Sequence, residues 1–197
     1  MNEERLIKLK VEINACDLCK QHLPLGPRPV VRGSSSAAIL IIGQAPGTRV
    51  HETGIPWNDA SGDRLRDWLN MDKAQFYDEA MLAIMPMGFC YPGRAPNGGD
   101  NPPRPECAPM WHEKMLALLP NIQLTLLIGA YAQKRYLKNG GAKTMTANVL
   151  DFENHIKTGV LCLPHPSWRT VSWQKKNPFF EENVLPLINR TISKIIT

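Results

Sequence analysis

The apolar run Ala37 to Ile42 ends abruptly in Gly43-Gln44-Ala45-Pro46-Gly47, and the apolar run Val160 to Leu163 is followed as abruptly by His165-Pro166-Ser167. A short continuous apolar run bounded by turn residues reads as a strand buried on both faces, the kind that parallel sheets use. In such a sheet, strand ends of the same polarity gather at one edge, and α/β proteins place their sites there. Two loops far apart in the sequence are therefore expected to form the two lips of one cleft.

The rest of the chain alternates in the same sense. Leu6, Leu9, Val11 and Ile13 among charges predict an amphipathic helix over Glu3 to Ala15. Leu23 to Ser36, rich in Pro and Ser, reads as a surface loop, and Ala38 to Ile42 as the first strand. Thr48 to Ala60 reads as a second loop, after which Ser61 is placed to cap a helix carrying Leu65, Trp68 and Leu69. Strands are expected at Met81 to Met85, Leu124 to Ile128 and Val160 to Leu163, and helices at Cys107 to Leu119 and Tyr131 to Leu137. Asn139 to Thr158 reads as less regular, and Phe179 to Ile196 as a closing helix interrupted by Pro186. This pattern predicts one α/β domain over residues 1–197, with a mostly parallel four-stranded sheet flanked by helices on both faces.

With 197 residues, 43% of them hydrophobic, the chain can bury a full core without a second domain. No apolar run approaches the roughly 20 residues that span a bilayer, and Met1-Asn2-Glu3-Glu4-Arg5 carries no signal core, so a cytoplasmic protein without membrane contact is expected. The net charge of +5 suits a polyanionic partner. Five cysteines in a reducing compartment call for a metal reading before a disulfide reading. Cys16 and Cys19 form a CxxC knuckle. Cys90 and Cys107 lie at either end of an irregular stretch, Pro86 to Pro105, whose six prolines and four glycines imply a function or a ligand that pins it. Cys162, inside a strand-like run, reads as a small buried hydrophobe.

Gly43-Gln44-Ala45-Pro46-Gly47, then Thr53-Gly54-Ile55-Pro56-Trp57, then His165-Pro166-Ser167 resemble the motifs of the uracil-DNA glycosylase superfamily in order, spacing and strand context. The resemblance is closest to its iron–sulfur type, family four, in which a CxxC near the N-terminus joins a second, widely spaced cysteine pair. Here those are Cys16, Cys19, Cys90 and Cys107. The resemblance covers nearly the whole chain and implies a DNA-repair glycosylase that flips a damaged base, uracil or a related deaminated base, into a pocket and hydrolyses its N-glycosidic bond.

Roles follow from the resemblance residue by residue. Trp57 takes the place of the stacking aromatic, a core tryptophan being the competing reading. His165 would donate a hydrogen bond to the oxygen of the departing base, a histidine held by backbone being the alternative. Gly43 and the backbone of Gln44 and Ala45 would contact the base. Gln44 occupies a position that is acidic in many family-four proteins, and glutamine can orient a water but not take its proton. His51 and Glu52 are then the candidate water-positioning groups, with solvated loop residues as the plainer reading. Pro86 stands where that type carries an asparagine, which leaves the identity of the base open.

The basic stretch after the second motif implies the DNA contacts. Trp168 or Val171 would wedge into the gap left by the flipped base, Arg169, Lys175 and Lys176 would meet phosphates, and Ser167 would bond the phosphate beside the lesion. The four thiolates imply a [4Fe–4S] cluster, with zinc as the alternative, in a structural role. No GxGxxG or Walker pattern is present, so no nucleotide cofactor is expected. A monomer acting on single- or double-stranded DNA is the expected form, and a non-catalytic nucleic-acid-binding member of the same superfamily is the alternative.

Overall fold

A computed structural model describes residues 1–96, 98–137, 141–142 and 144–196. Strands β1 (Ile39–Ile42), β2 (Leu82–Ile84), β3 (Leu124–Ile128) and β4 (Val160–Leu163) form one sheet in the order β2-β1-β3-β4, every pairing parallel. The expected strands are each found within one or two residues. Their side chains are buried almost throughout, which is why they read as continuous apolar runs rather than alternating ones.

The helices are α1 (Asn2–Asn14), α2 (Thr48–Thr53), α3 (Ala60–Leu69), α4 (Lys73–Tyr77), α5 (Cys107–Leu116), α6 (Ala130–Tyr136), α7 (Met145–Leu150), α8 (Phe152–His155), α9 (Thr170–Lys176) and α10 (Leu185–Ile196). Helix α1 buries Leu6, Leu9 and Ile13 and packs against α5, whereas Val11 faces solvent. Helix α10 packs on α3, and α6 and α7 cover β3 and β4.

Several elements differ from expectation. Helix α3 is capped by Asp59, not Ser61: Asp59 has extended backbone, and its Oδ1 accepts the Gly62 N–H at 2.9 Å. The stretch expected as a loop from Thr48 contains α2, which stops at Gly54 in the left-handed region. Helix α4 was not expected; it carries a capping box between Asp72 and Gln75. The basic stretch after His165 is helical, forming α9, and the irregular stretch from Asn139 holds α7 and α8, its first residues lying outside the described ones. Pro186 does not break the closing helix. A π-helical turn over Phe180–Val184 precedes α10, and Pro186 sits in the first turn of α10, where a missing N–H costs little. Cys162 is fully buried in β4.

Candidate active site

The C-terminal ends of β1 and β4 lie at the same sheet edge, and the loops that leave them border a cleft of about 110 Å³. At roughly 10–15 Å³ of such space per water, that is room for several waters or one flat heterocycle. Gly43, Gln44, Ala45, Trp57 and His165 line it, together with Asp59, Pro86 and Asp100.

Trp57 is fixed from its backbone outward. Its φ of 56° puts a bulky residue in the left-handed region, at a cost of about 1–3 kcal/mol. The neighbouring carbonyls hold it there: Tyr77 Oη donates to Pro56 O at 3.0 Å and Arg66 Nη1 to Trp57 O at 3.3 Å. Arg66 is itself buried, ion-paired to Asp63, and stacked on the rings of Phe76 and Tyr77. Gly62 completes the fit, since a Cβ there would fall 1.7 Å from Trp57 O. The indole is half-buried and faces the imidazole of His165 with ring centres 5.7 Å apart and planes 34° from parallel.

His165 is fixed from the sheet side. Leu163 O accepts from Gly129 N at 2.9 Å and from Gln133 Nε2 at 3.0 Å, and the buried Gln133 is steadied by Asn148 Nδ2 at 3.2 Å. The His165 carbonyl accepts from Thr170 Oγ1 and from Ser167 N. Loss of hydration lowers the imidazole pKa below its ordinary value, against the opposing pull of the Asp59 charge, so the ring is neutral at pH 7.

Asp59 and Asp100 were not legible as site residues. A Cβ built on Gly47 would lie 3.4 Å from Asp100 Oδ2 and 3.9 Å from Asp59 Oδ2, so the two carboxylates flank the same glycine of the first motif. Asp59 spends Oδ1 on the helix cap and keeps Oδ2 for the cleft. Desolvation raises the pKa of Asp100, with Arg94 opposing and Asp59 adding to the shift. Glu52 and His51, the water-positioning candidates, do not line the cleft. Glu52 is exposed on α2 with its carbonyl held by Arg28, and the His51 ring lies 6.0 Å from that of Tyr91.

The cleft opens into a groove of about 570 Å³ that shares Gln44, Ala45, Asp100 and His165 with it. Arg94, Gly98, Gly99, Ser167, Trp168 and Arg169 line the rest of it, and the Arg169 guanidinium lies close against Gly99. Residues 93–95 and 99–101 pair as two arms, with Ala95 N bonded to Gly99 O and Asn101 N to Gly93 O. Trp168 is 77% exposed and carries the Arg169 guanidinium over its ring at 5.5 Å. Trp173, by contrast, docks on Phe179 and Phe180. Val171, Lys175 and Lys176 are exposed on α9, beside the groove rather than in it.

On the far side of the Pro-rich stretch, Cys16, Cys19, Cys90 and Cys107 all border one small, mostly apolar cavity. Burial pushes the thiol of Cys90 up to about 11 and that of Cys107 up to about 12. Phe89 N donates to Cys107 Sγ at 3.3 Å. Among the described residues no three His, Cys, Asp or Glu side chains are close enough together to share a single ion. Nor does any described helix have the length and apolarity to cross a membrane.

The family description Uracil DNA glycosylase superfamily matches residues 30–188, a span that contains both strand-end loops, Trp57 and the whole sheet. The chain belongs to the uracil DNA glycosylase superfamily.

Proposed function

We propose that this protein is a monofunctional, monomeric DNA glycosylase that draws a deaminated base out of the stack and hydrolyses its N-glycosidic bond. The observation that carries the reading is the meeting of Trp57 and His165, from opposite lips, across one cleft of base size that opens into a groove walled by arginines and an exposed tryptophan.

The base stacks on the Trp57 indole, in contact with the backbone of Gly43, Gln44 and Ala45. As the C1′–N bond breaks, its electron pair leaves with the base and positive charge collects on the sugar. The neutral His165 ring donates a hydrogen bond to the base oxygen where the negative charge grows. Water attacks C1′ and gives its proton to Asp59, with Asp100 beside it, a task the Gln44 amide cannot perform. That two carboxylates line the cleft favours an enzyme over a binder that has lost its water activator.

Trp168 fills the gap left in the stack, Ser167 meets the adjacent phosphate, and Arg169, Lys175 and Lys176 neutralise the flanking backbone. Cys16, Cys19, Cys90 and Cys107 hold a [4Fe–4S] cluster. Four thiolates bordering one mostly apolar cavity are the ligand set such a cluster would take. The cluster's contribution is structural: it ties α1 to the Pro-rich stretch that carries Asp100.

The test is incubation with labelled single- and double-stranded oligonucleotides carrying uracil, hypoxanthine or xanthine, followed by alkali. Alkali-labile sites at one of these lesions are expected; retained binding with no labile site at any of them would make the protein a binder only.

A further inference from the structure

Arg104 borders the same cavity as the four cysteines, and its side chain is incompletely satisfied there. Nη2 pairs with Glu106 Oε1 at 2.6 Å, but the buried Nε–H has no partner. Arg104 and Cys19 line the cavity together, and the Cys19 thiol lies 3.9 Å from Oε2 of the same Glu106 carboxylate that pairs with Arg104. A buried donor left without an acceptor costs about 1–3 kcal/mol, so an arginine held this way next to thiols calls for an acceptor in the cavity.

We infer that Arg104 is a positioning and tuning residue for the cluster, its Nε–H directed at the sulfur atoms of the cluster or of Cys19; this rests on the cluster reading above. A [4Fe–4S] core in its oxidised state with four thiolates is a net dianion, and one further electron makes it more negative still. Burying that charge in an apolar cavity is costly unless donors and a cation face it. Among the described residues Phe89 N supplies one donor, to Cys107. Arg104 supplies the cation and a further donor on the Cys19 side, and the Glu106 carboxylate fixes the plane of its guanidinium through Oε1 while its Oε2 lies 3.9 Å from Cys19 Sγ. Because a cation stabilises the more negative state more, Arg104 raises the reduction potential. By filling the cavity mouth near Cys19 it also slows attack by oxygen and water.

The experiment uses the full chain purified without air, as wild type, Arg104→Gln and Arg104→Lys. Iron and acid-labile sulfide per chain, the midpoint potential by dye-mediated titration, and the rate at which visible absorbance fades in air are measured for each. In Arg104→Gln the potential is expected to fall and fading to become several-fold faster. Arg104→Lys keeps the charge but lacks the Nε–H, and it is expected to lie between the other two. Both variants matching wild type in potential and fading would overturn the role of Arg104. A wild-type protein that binds zinc, or neither iron nor sulfide, overturns the cluster reading itself, so the two failures are told apart. If Arg104→Gln takes up no cluster, the potential of Arg104→Lys decides.

Discussion

Gly43 and Trp57 occupy each other's space: a Cβ on Gly43 would lie 2.8 Å from Cζ2 of the indole. Position 43 is therefore glycine because the Trp57 indole lies directly against the backbone at the end of β1. Gly43→Ala is expected to push the indole out of place while the sheet folds normally, costing about 1–3 kcal/mol of stability. Base release should slow more than DNA binding weakens, and single-turnover kinetics with parallel binding measurements separate the two. Equal losses in both would mean that Trp57 is a core residue only.

Asp59 carries two duties on separate oxygens, a cap through Oδ1 and an acceptor facing the cleft through Oδ2. Asparagine caps a helix about as well as aspartate but cannot take a proton. Asp59→Asn is thus expected to unfold within a few tenths of a kcal/mol of wild type and to lose about 10²–10⁴-fold in base release. Thermal denaturation and turnover, measured on the same preparation, check both halves.

Trp168 makes its ring contact with Arg169 and is otherwise in solvent, so Trp168→Ala should leave stability unchanged within about 0.5 kcal/mol. Affinity for a duplex with an abasic site should drop by about 1–3 kcal/mol if the indole stacks in the gap. Lys175→Ala and Lys176→Ala should each lower the slope of log affinity against log salt by about one. Salt titrations of binding read these effects directly.

His112 gives the fold a pH dependence of its own. It is fully buried, with ring faces toward Phe89 and Tyr136, and burial lowers its pKa from 6.5 to about 4. With Nε2 donating to Pro86 O at 3.0 Å, the neutral ring accepts from Tyr136 Oη at Nδ1, at 2.6 Å. The folded pKa is depressed, so its contribution is complete above the unfolded value of 6.5 and is lost as pH falls toward 4. The loss amounts to about 3 kcal/mol over that interval. Denaturant midpoints at a series of pH values should show it, and His112→Gln should flatten the curve there.

The strands and both lips of the cleft were legible because buried parallel strands leave unmistakable apolar runs and stop at polar turns. The carboxylates were not. Ser61 and Asp59 are both good caps two residues apart, and a helix start at Ser61 places Asp59 in the loop before it. Asp100 sits in one of two arms joined by backbone bonds among Pro and Gly, which have no periodicity to read. Helices α2 and α9 are short and polar, and their stability comes from docking rather than propensity. The left-handed backbone of Trp57 depends on Arg66 and Tyr77 gripping carbonyls from other elements, a relation that no local pattern announces.

The central claim is that Trp57 and His165 grip the same extruded base. It is tested most directly by single-turnover release of that base by wild type, Trp57→Ala and His165→Ala, alongside binding to an abasic duplex. Each variant is expected to lose about 100-fold or more in release while still binding the duplex. A release rate equal to wild type in either one would contradict it.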